Sequence, residues 1–153
     1  MDRLERMIPP PVVLLLIGAA MRWTAPALPA AALPGWARVA WAFAFGGAGA
    51  ALLAAAVFGF FRARTTVDPI RIDRASTLVV DGVYRVSRNP IYLADALFLV
   101  AWAGWLASPL TLAGPAALVA YLTRFQIRPE ERFLAAKFGA RYEAYRAAVR
   151  RWA

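Results

Sequence analysis

The chain contains no cysteine and no histidine. Disulfides, thiol nucleophiles and imidazole bases are therefore excluded, and with them the common ligand sets for zinc and haem. We predict no metal site. Any chemistry must use carboxylates, basic side chains, hydroxyls or amides.

Acidic residues are scarce: there are nine, against eighteen basic residues, which gives a net charge of +9. The charges form short blocks between long uncharged runs, while 61% of the residues are hydrophobic and the mean hydropathy is +0.53. This distribution is typical of a polytopic membrane protein. Because the arginines flank apolar segments, we predict anionic membrane lipids as partners, no nucleic acid and no obligate protein partner.

Two apolar segments occupy the first 61 residues. The second half of the first, residues 8–33, is interrupted by Arg22, Pro26 and Pro29 and is followed by Pro34, so its helix is expected to end or kink near Trp23. Although it resembles a signal peptide, we interpret it as the first membrane helix, because acids are mixed with its bases. The second, residues 36–61, carries only Arg38, and its small residues recur every four positions, which predicts close helix packing.

Two shorter apolar runs, residues 91–106 and 109–123, are joined by Ser108-Pro109 and predict a tight helical hairpin. With four spans, every basic residue except Arg22 and Arg38 lies on one side, which the positive-inside rule makes cytoplasmic. We therefore predict an all-α membrane protein with about four transmembrane helices and both termini cytoplasmic. The composition favours a bacterial inner membrane, and a three-span or re-entrant arrangement is the main alternative.

The C-terminal segment, residues 129–152, predicts an amphipathic cytoplasmic helix. One sector of this helix carries Leu134, Phe138, Tyr142, Tyr145, Val149 and Trp152, and the opposite side carries Arg132, Arg146 and Arg150. A membrane-surface anchor would explain this pattern. However, Glu131 shares the aromatic sector and Glu130 borders it, which indicates a pocket. We treat residues 1–153 as one membrane domain, with spans in residues 8–61 and a core in residues 62–153.

The densest polar cluster, YRVSRNPIYL at residues 84–93, immediately precedes the hairpin. Pro90 suits a first helical turn and Asn89 suits the capping position before it. Asp95 is expected roughly 7–8 Å into the bundle. An intramembrane acid is a functional candidate, but a salt bridge with Arg88 or Arg128 would explain it equally well.

Two ordered motifs resemble those of the isoprenylcysteine carboxyl methyltransferase family and its bacterial relatives, integral membrane enzymes related to phospholipid N-methyltransferases. The first motif is carried by Gly82, Tyr84, Arg85, Arg88, Asn89, Pro90 and Tyr92. The second is carried by Glu130, Glu131, Leu134, Phe138, Gly139, Tyr142 and Tyr145. The preceding TTVDP, residues 65–69, is similar to the family's entry loop. The resemblance extends from about residue 62 to the end.

The resemblance implies a methyltransferase that uses S-adenosylmethionine at the cytoplasmic membrane edge and takes a lipophilic acceptor from the bilayer. The implied cofactor-binding residues are Tyr84, Asn89, Pro90, Tyr92, Glu130, Phe138, Tyr142 and Tyr145. The candidate catalytic residues are Arg88, Glu131 and Arg128. Carboxylates and aromatic faces suit a sulfonium cation. Arg88 or Arg128 would clamp a carboxylate acceptor.

The chain departs from the family pattern at two positions: Asn89 replaces the family's histidine, and Ala94 stands where a glycine is frequent. Asparagine cannot take a proton, so the acceptor is expected to be nucleophilic already, such as a carboxylate, or to be deprotonated by Glu131 or solvent. The alternatives are a phospholipid amine N-methyltransferase, a non-catalytic membrane lipid-binding or scaffold protein of the same fold, and a reductase related to sterol-reducing membrane enzymes.

Overall fold

The structure is a computed structural model that describes Glu5, residues 7–63 and residues 77–153. The regular elements among these residues are all helical, which confirms the predicted all-α class. The TTVDP segment, residues 65–69, lies outside the described residues.

Two helices near the N-terminus are long and apolar enough to cross a membrane. Helix α1 spans Pro10–Thr24 and continues into a 3₁₀ turn at Ala25–Ala27, so the helix ends close to the predicted position. Helix α2 spans Gly35–Arg62, which is 28 residues and exceeds the roughly 20 needed for the hydrocarbon core. The described residues thus contain two candidate spans, and a total of four stays a prediction.

The predicted hairpin is confirmed. Helix α3 spans Pro90–Leu106, a 3₁₀ turn covers Pro109–Leu112, and helix α4 spans Ala113–Leu122. Ala107 ends α3 in the left-handed conformation, with φ of 52°, and its N–H donates to the carbonyls of the preceding turn. Such a compact turn leaves α3 and α4 side by side.

Helix α2 packs antiparallel along α3. The Trp41 indole donates to the Val100 carbonyl at 2.9 Å near one end, and a methyl group on Gly49 would lie 3.2 Å from the Ala94 carbonyl farther along. The small residues of α2 therefore allow the close approach that the sequence predicts. The contact is made by Gly46 and Gly49, whereas most of the positions that recur every four residues, including Ala50, Ala51 and Ala54, are exposed.

Helix α3 also packs against α1 and α4. The Trp102 indole donates to the Gly18 carbonyl of α1 at 3.1 Å. The buried core contains Val13, Met21, Tyr92, Leu99, Ala103, Leu118, Leu122 and Ile127. Helix α3 thus lies at the centre of the bundle.

Helix α4 runs through a π-helical turn, Thr123–Ile127, into α5, Arg128–Phe138. The predicted continuous helix over residues 129–152 is wrong, because the chain breaks at Gly139 before helix α6, Ala140–Ala148. Gly139 has φ of 52° and ψ of −130°, a conformation available mainly to glycine. Helix α6 ends at Ala148, and Val149 after it has an extended backbone. The helical periodicity nevertheless predicted correctly that Tyr142 faces inward, because this residue is buried.

We predict that Gly104→Ala destabilises the protein by roughly 1–3 kcal/mol, because the added methyl would overlap the Trp41 indole, which its hydrogen bond to Val100 holds in place. Thermal unfolding in detergent, followed by circular dichroism, measures the effect. Gly47→Ala is the matched control: nothing lies within 4 Å of its added methyl, so the melting temperature should stay the same or rise. Equal melting temperatures for Gly104→Ala and the unchanged protein would contradict the packing.

Candidate active site

A buried ion-pair cluster joins three segments that are far apart in sequence. The Glu131 carboxylate, in the first turn of α5, accepts a hydrogen bond from Arg88 Nη2 at 2.7 Å. It also accepts two from Arg151, from Nε at 3.0 Å and from Nη2 at 2.7 Å. Arg88 and Glu131 are both largely buried. The cluster therefore ties the α3 entry and the C-terminal tail to α5.

The cluster holds Glu131 in its ionised form. Burial of the carboxyl would raise its pKa, but hydrogen bonds from Arg151 and Arg88 outweigh burial and lower the pKa below its usual 4.5. In turn, the hydrogen bond to Glu131 raises the pKa of Arg151. A carboxylate stabilised by two guanidinium groups is a weak proton acceptor. The geometry therefore argues against Glu131 as the general base that deprotonates the acceptor, a role that the sequence allowed.

Arg88 is mostly occupied by the protein itself. Besides Glu131, its Nη1 donates to the Arg146 carbonyl at 2.9 Å and to the Val149 carbonyl at 2.7 Å. Its buried Nε has no hydrogen-bond partner among the described residues. Three of its five N–H groups are therefore taken by the protein, and the Nε–H and one Nη2–H remain. The main observed task of Arg88 is to position the C-terminal segment.

The tail after α6 lies against the corner that precedes α3. The Arg88 N–H donates to the Arg150 carbonyl at 3.0 Å, and the Asn89 side-chain amide donates to the Arg151 carbonyl at 2.9 Å. Tyr145 of α6 adds a hydrogen bond from its hydroxyl to the Tyr84 carbonyl at 2.7 Å. Asn89 makes no side-chain capping bond to α3, so the predicted capping role is wrong. Arg151 was not predicted as a site residue, because nothing in the local sequence distinguishes it from its exposed neighbour Arg150.

A cavity of about 390 Å³ lies beside this cluster. Its walls come from the start of α1, the second half of α2, residues 77–79, the α3 entry, α5 and α6. The predicted site residues that line it are Tyr84, Arg88, Asn89, Pro90, Tyr92, Glu130, Glu131, Tyr142 and Tyr145. Two predicted residues, Arg128 and Phe138, are not among the lining residues, and Arg128 is exposed. The two sequence motifs thus meet at one chamber.

Glu130 anchors a second polar group in the chamber. Its Oε1 accepts a hydrogen bond from the Tyr92 hydroxyl at 2.7 Å and another from Gln126 Nε2 at 2.7 Å. Gln126 is buried and belongs to the π-helical turn Thr123–Ile127. π-Helical turns are frequent at functional sites, but no sequence pattern predicted a role for Gln126. This turn places a second donor on the Glu130 carboxylate.

Tyr84 brings an unsatisfied hydroxyl to the cavity wall. It is 6% exposed, and its Oη has no hydrogen-bond partner among the described residues. Burial, followed by the nearby Tyr145 and Glu130, raises the pKa of Tyr84 above its usual range. Burial and the Glu131 charge likewise raise the pKa of Tyr142 to about 12. Both groups therefore remain hydroxyls at neutral pH, and that of Tyr84 is available to a bound molecule.

Asp95 also lines the cavity. The pairing considered for it from the sequence is absent, because Arg88 is directed to Glu131 and Arg128 is exposed. Asp95 is 9% exposed and makes no ion pair or hydrogen bond with the described residues. The cavity lining thus holds three carboxylates and one guanidinium.

These residues fit S-adenosylmethionine. The cavity volume lies within the range of about 300–1,000 Å³ that is usual for small-molecule sites. Carboxylates and tyrosine rings can receive its cationic groups, and the unpartnered Tyr84 hydroxyl offers a further hydrogen bond. No metal is required for this donor set.

The fold and site define a helical membrane protein with a polar chamber at the mouth of a short hairpin. The family model described as phospholipid methyltransferase matches residues 36–141. The chain therefore belongs to the phospholipid methyltransferase family, which confirms the resemblance to the isoprenylcysteine-methyltransferase-like superfamily. It is accordingly a membrane methyltransferase by family.

A relative from Haemophilus influenzae, described as an uncharacterized protein, is 40% identical over 62 residues. The aligned region covers 40% of this chain and 98% of that protein. No solved structure gives a significant match.

We predict that the ion-pair cluster makes stability depend on pH in the acidic range. Because the folded pKa of Glu131 is below 4.5, its ionised form contributes stability fully above that pH and loses it as the pH falls through the folded pKa. The melting temperature in detergent, measured from about pH 7 to about pH 3, should therefore fall at the acidic end.

Glu131→Gln should have a lower melting temperature at neutral pH and a smaller decrease on acidification, because it removes the titrating group and leaves two arginines without their shared partner. Glu143→Gln is the matched control, since this glutamate is exposed and forms only a surface ion pair. An acid dependence of Glu131→Gln equal to that of the unchanged protein would show that the cluster does not titrate as described.

Proposed function

We propose that this protein transfers a methyl group from S-adenosylmethionine to a lipophilic acceptor at the cytoplasmic membrane boundary. The observation that carries the proposal is the chamber in which the two distant motifs meet, with the buried Tyr84 hydroxyl unpartnered in its wall. A buried polar group without a partner costs free energy in the empty protein, so it is explained best by a ligand.

We assign cofactor binding to Glu130, Tyr92 and Tyr84, with the rings of Tyr142 and Tyr145 and the Pro90 corner completing the wall. Glu130 is oriented by the Tyr92 hydroxyl and can receive a positive charge. Asn89 supports this wall indirectly, since its amide nitrogen donates to the tail. Arg128 and Phe138 stay unassigned, because they do not border the cavity.

When bound, S-adenosylmethionine supplies a methyl group activated by a sulfonium centre. The residues of this chain then have three tasks: binding, orientation and the exclusion of water. Glu131, fixed by Arg88 and Arg151, holds the α5 wall against the tail. An ammonium acceptor must lose one proton before its nitrogen can attack the methyl group, and this proton passes to solvent, because the paired Glu131 is a poor proton acceptor.

The acceptor that the geometry favours is an amine and not a carboxylate. Arg88 uses three of its five N–H groups within the protein, and Arg128 is exposed and does not line the cavity, so neither arginine is held ready as a guanidinium clamp for a carboxylate. Its lining also carries the Asp95 carboxylate, which has no ion pair with a described residue and would repel a carboxylate acceptor. Membership of the phospholipid methyltransferase family also favours an amine acceptor. We therefore place a phospholipid amine ahead of the carboxylate.

Calorimetric titration of the protein in detergent with S-adenosylmethionine tests the proposal. We expect saturable binding with one site per chain, and NADPH should give no binding. Absence of saturable binding by S-adenosylmethionine would instead favour a non-catalytic lipid-binding or scaffold protein of the same fold. Saturable binding of NADPH would favour a reductase.

We predict that Tyr84→Phe affects the thermal stability of the protein and its affinity for S-adenosylmethionine in different ways. Removal of an unpartnered hydroxyl should leave the melting temperature of the unliganded protein equal or higher, whereas affinity for S-adenosylmethionine should fall about fivefold or more. Tyr121→Phe, a substitution outside the cavity, is the control and should bind as the unchanged protein does. Unaltered affinity of Tyr84→Phe would remove this hydroxyl from the binding site.

A further inference from the structure

Asp95 lies at the inner end of the chamber. It is five residues beyond Pro90 and is the last α3 residue along the chain that lines the cavity. At the same level, Gly49 of α2 comes close to the Ala94 carbonyl and the Phe98 ring. On α2, Leu53 lines the cavity and Gly49 does not. Asp95 is therefore the carboxylate that lies deepest along α3 in a mainly apolar chamber.

The three carboxylates that line the cavity differ in the ion pairs and hydrogen bonds that they receive from the protein. Glu131 is paired with Arg88 and Arg151, and Glu130 accepts hydrogen bonds from Tyr92 and Gln126. Asp95 receives neither an ion pair nor a hydrogen bond from the described residues, although it is 9% exposed. A buried carboxylate is expensive unless it is paired. A cationic group of an occupant would supply that pairing.

We propose that Asp95 is a specificity-determining residue that receives the ammonium group of an amine acceptor. This inference rests on the proposed function and assigns the acceptor's headgroup to the inner end of the chamber. An ammonium brings a positive charge to the carboxylate in addition to its hydrogen bonds, whereas a hydroxyl headgroup brings hydrogen bonds alone, so Asp95 selects for the amine.

The acceptor is a better source of the cation than the cofactor. The groups assigned to the cofactor, Glu130 and the tyrosines, come from the chamber's α5 and α6 side and from the start of α3. The α1 and α2 walls of the chamber contribute only apolar lining residues, Pro10, Pro11, Leu53 and Phe60, and α2 comes close to α3 at Ala94, beside Asp95. Both α1 and α2 expose large apolar side chains on their outer faces, including Leu15 and Phe58, which suits contact with lipid. This side of the chamber is thus the one nearest to a membrane-borne molecule.

Binding of short-chain lipids tests the assignment without any turnover. Dihexanoyl phosphatidylethanolamine, which carries an ammonium, and dihexanoyl phosphatidylglycerol, which does not, are titrated by calorimetry into the protein in the absence of cofactor. The unchanged protein should prefer the ethanolamine lipid, and Asp95→Asn should bind it about tenfold more weakly or worse. Asp95→Asn has nearly the same shape as the original side chain and removes only the charge.

Asp81→Asn, the same change at an exposed position outside the cavity, is the matched control and should leave lipid binding unaltered. Each variant is also titrated with S-adenosylmethionine. Affinity of Asp95→Asn for S-adenosylmethionine within about twofold of that of the unchanged protein shows that the chamber is folded and that the carboxylate serves the acceptor.

Three outcomes would overturn the inference: no preference of the unchanged protein for the ethanolamine lipid, equal binding of that lipid by Asp95→Asn, or weakened binding of S-adenosylmethionine with lipid binding unaltered. The last would assign Asp95 to the cofactor. Failure of the unchanged protein to bind S-adenosylmethionine would be seen in its own titration, and it would remove the proposed function while the lipid titrations still decide whether Asp95 binds the amine.

Discussion

The structure of the site depends on one buried carboxylate, Glu131, held between two guanidinium groups. Arg88 comes from the entry to α3, Arg151 from the C-terminal tail and Glu131 from α5, so satisfying this single charge requires three distant segments to meet. Loss of either arginine would leave a buried charge undercompensated, which is costly in a mainly apolar protein. Two of these segments, the α3 entry and α5, form walls of the cavity. The ion-pair cluster therefore fixes the chamber's shape, and its members need not take part in any chemical step.

The position of the chamber explains why an apolar chain concentrates its polar residues before a short hairpin. Helices α1 and α2 provide hydrophobic walls, while α5 and α6 add carboxylates and tyrosines. A charged, water-soluble methyl donor and a membrane-borne acceptor can both reach such a boundary. Membership of the phospholipid methyltransferase family gives the reaction class, and the Asp95 carboxylate of the lining supports the proposed amine acceptor.

Much of the fold was predictable because it follows from apolar length and turn residues. The extents of α1 and α2 and the hairpin around Ser108-Pro109 agree with the sequence, as does the meeting of the two motifs. Helical periodicity identified the buried face of Tyr142 but not the break at Gly139, because periodicity reports which side is apolar and not where φ becomes positive. The partners of Asn89 and Arg151 depend on the tail's return to the α3 entry, which local sequence does not encode.

The central claim is that one chamber, bounded by the Asn89-Pro90 corner and the Glu130-Glu131 pair, binds the methyl donor. The most direct measurement is a crystal structure of the protein grown with S-adenosylhomocysteine, the product form of that donor. We expect ligand density inside the cavity, in contact with Glu130, Tyr92 and the Tyr84 hydroxyl. Ligand density bound elsewhere on the protein, with the cavity left without it, would contradict the account.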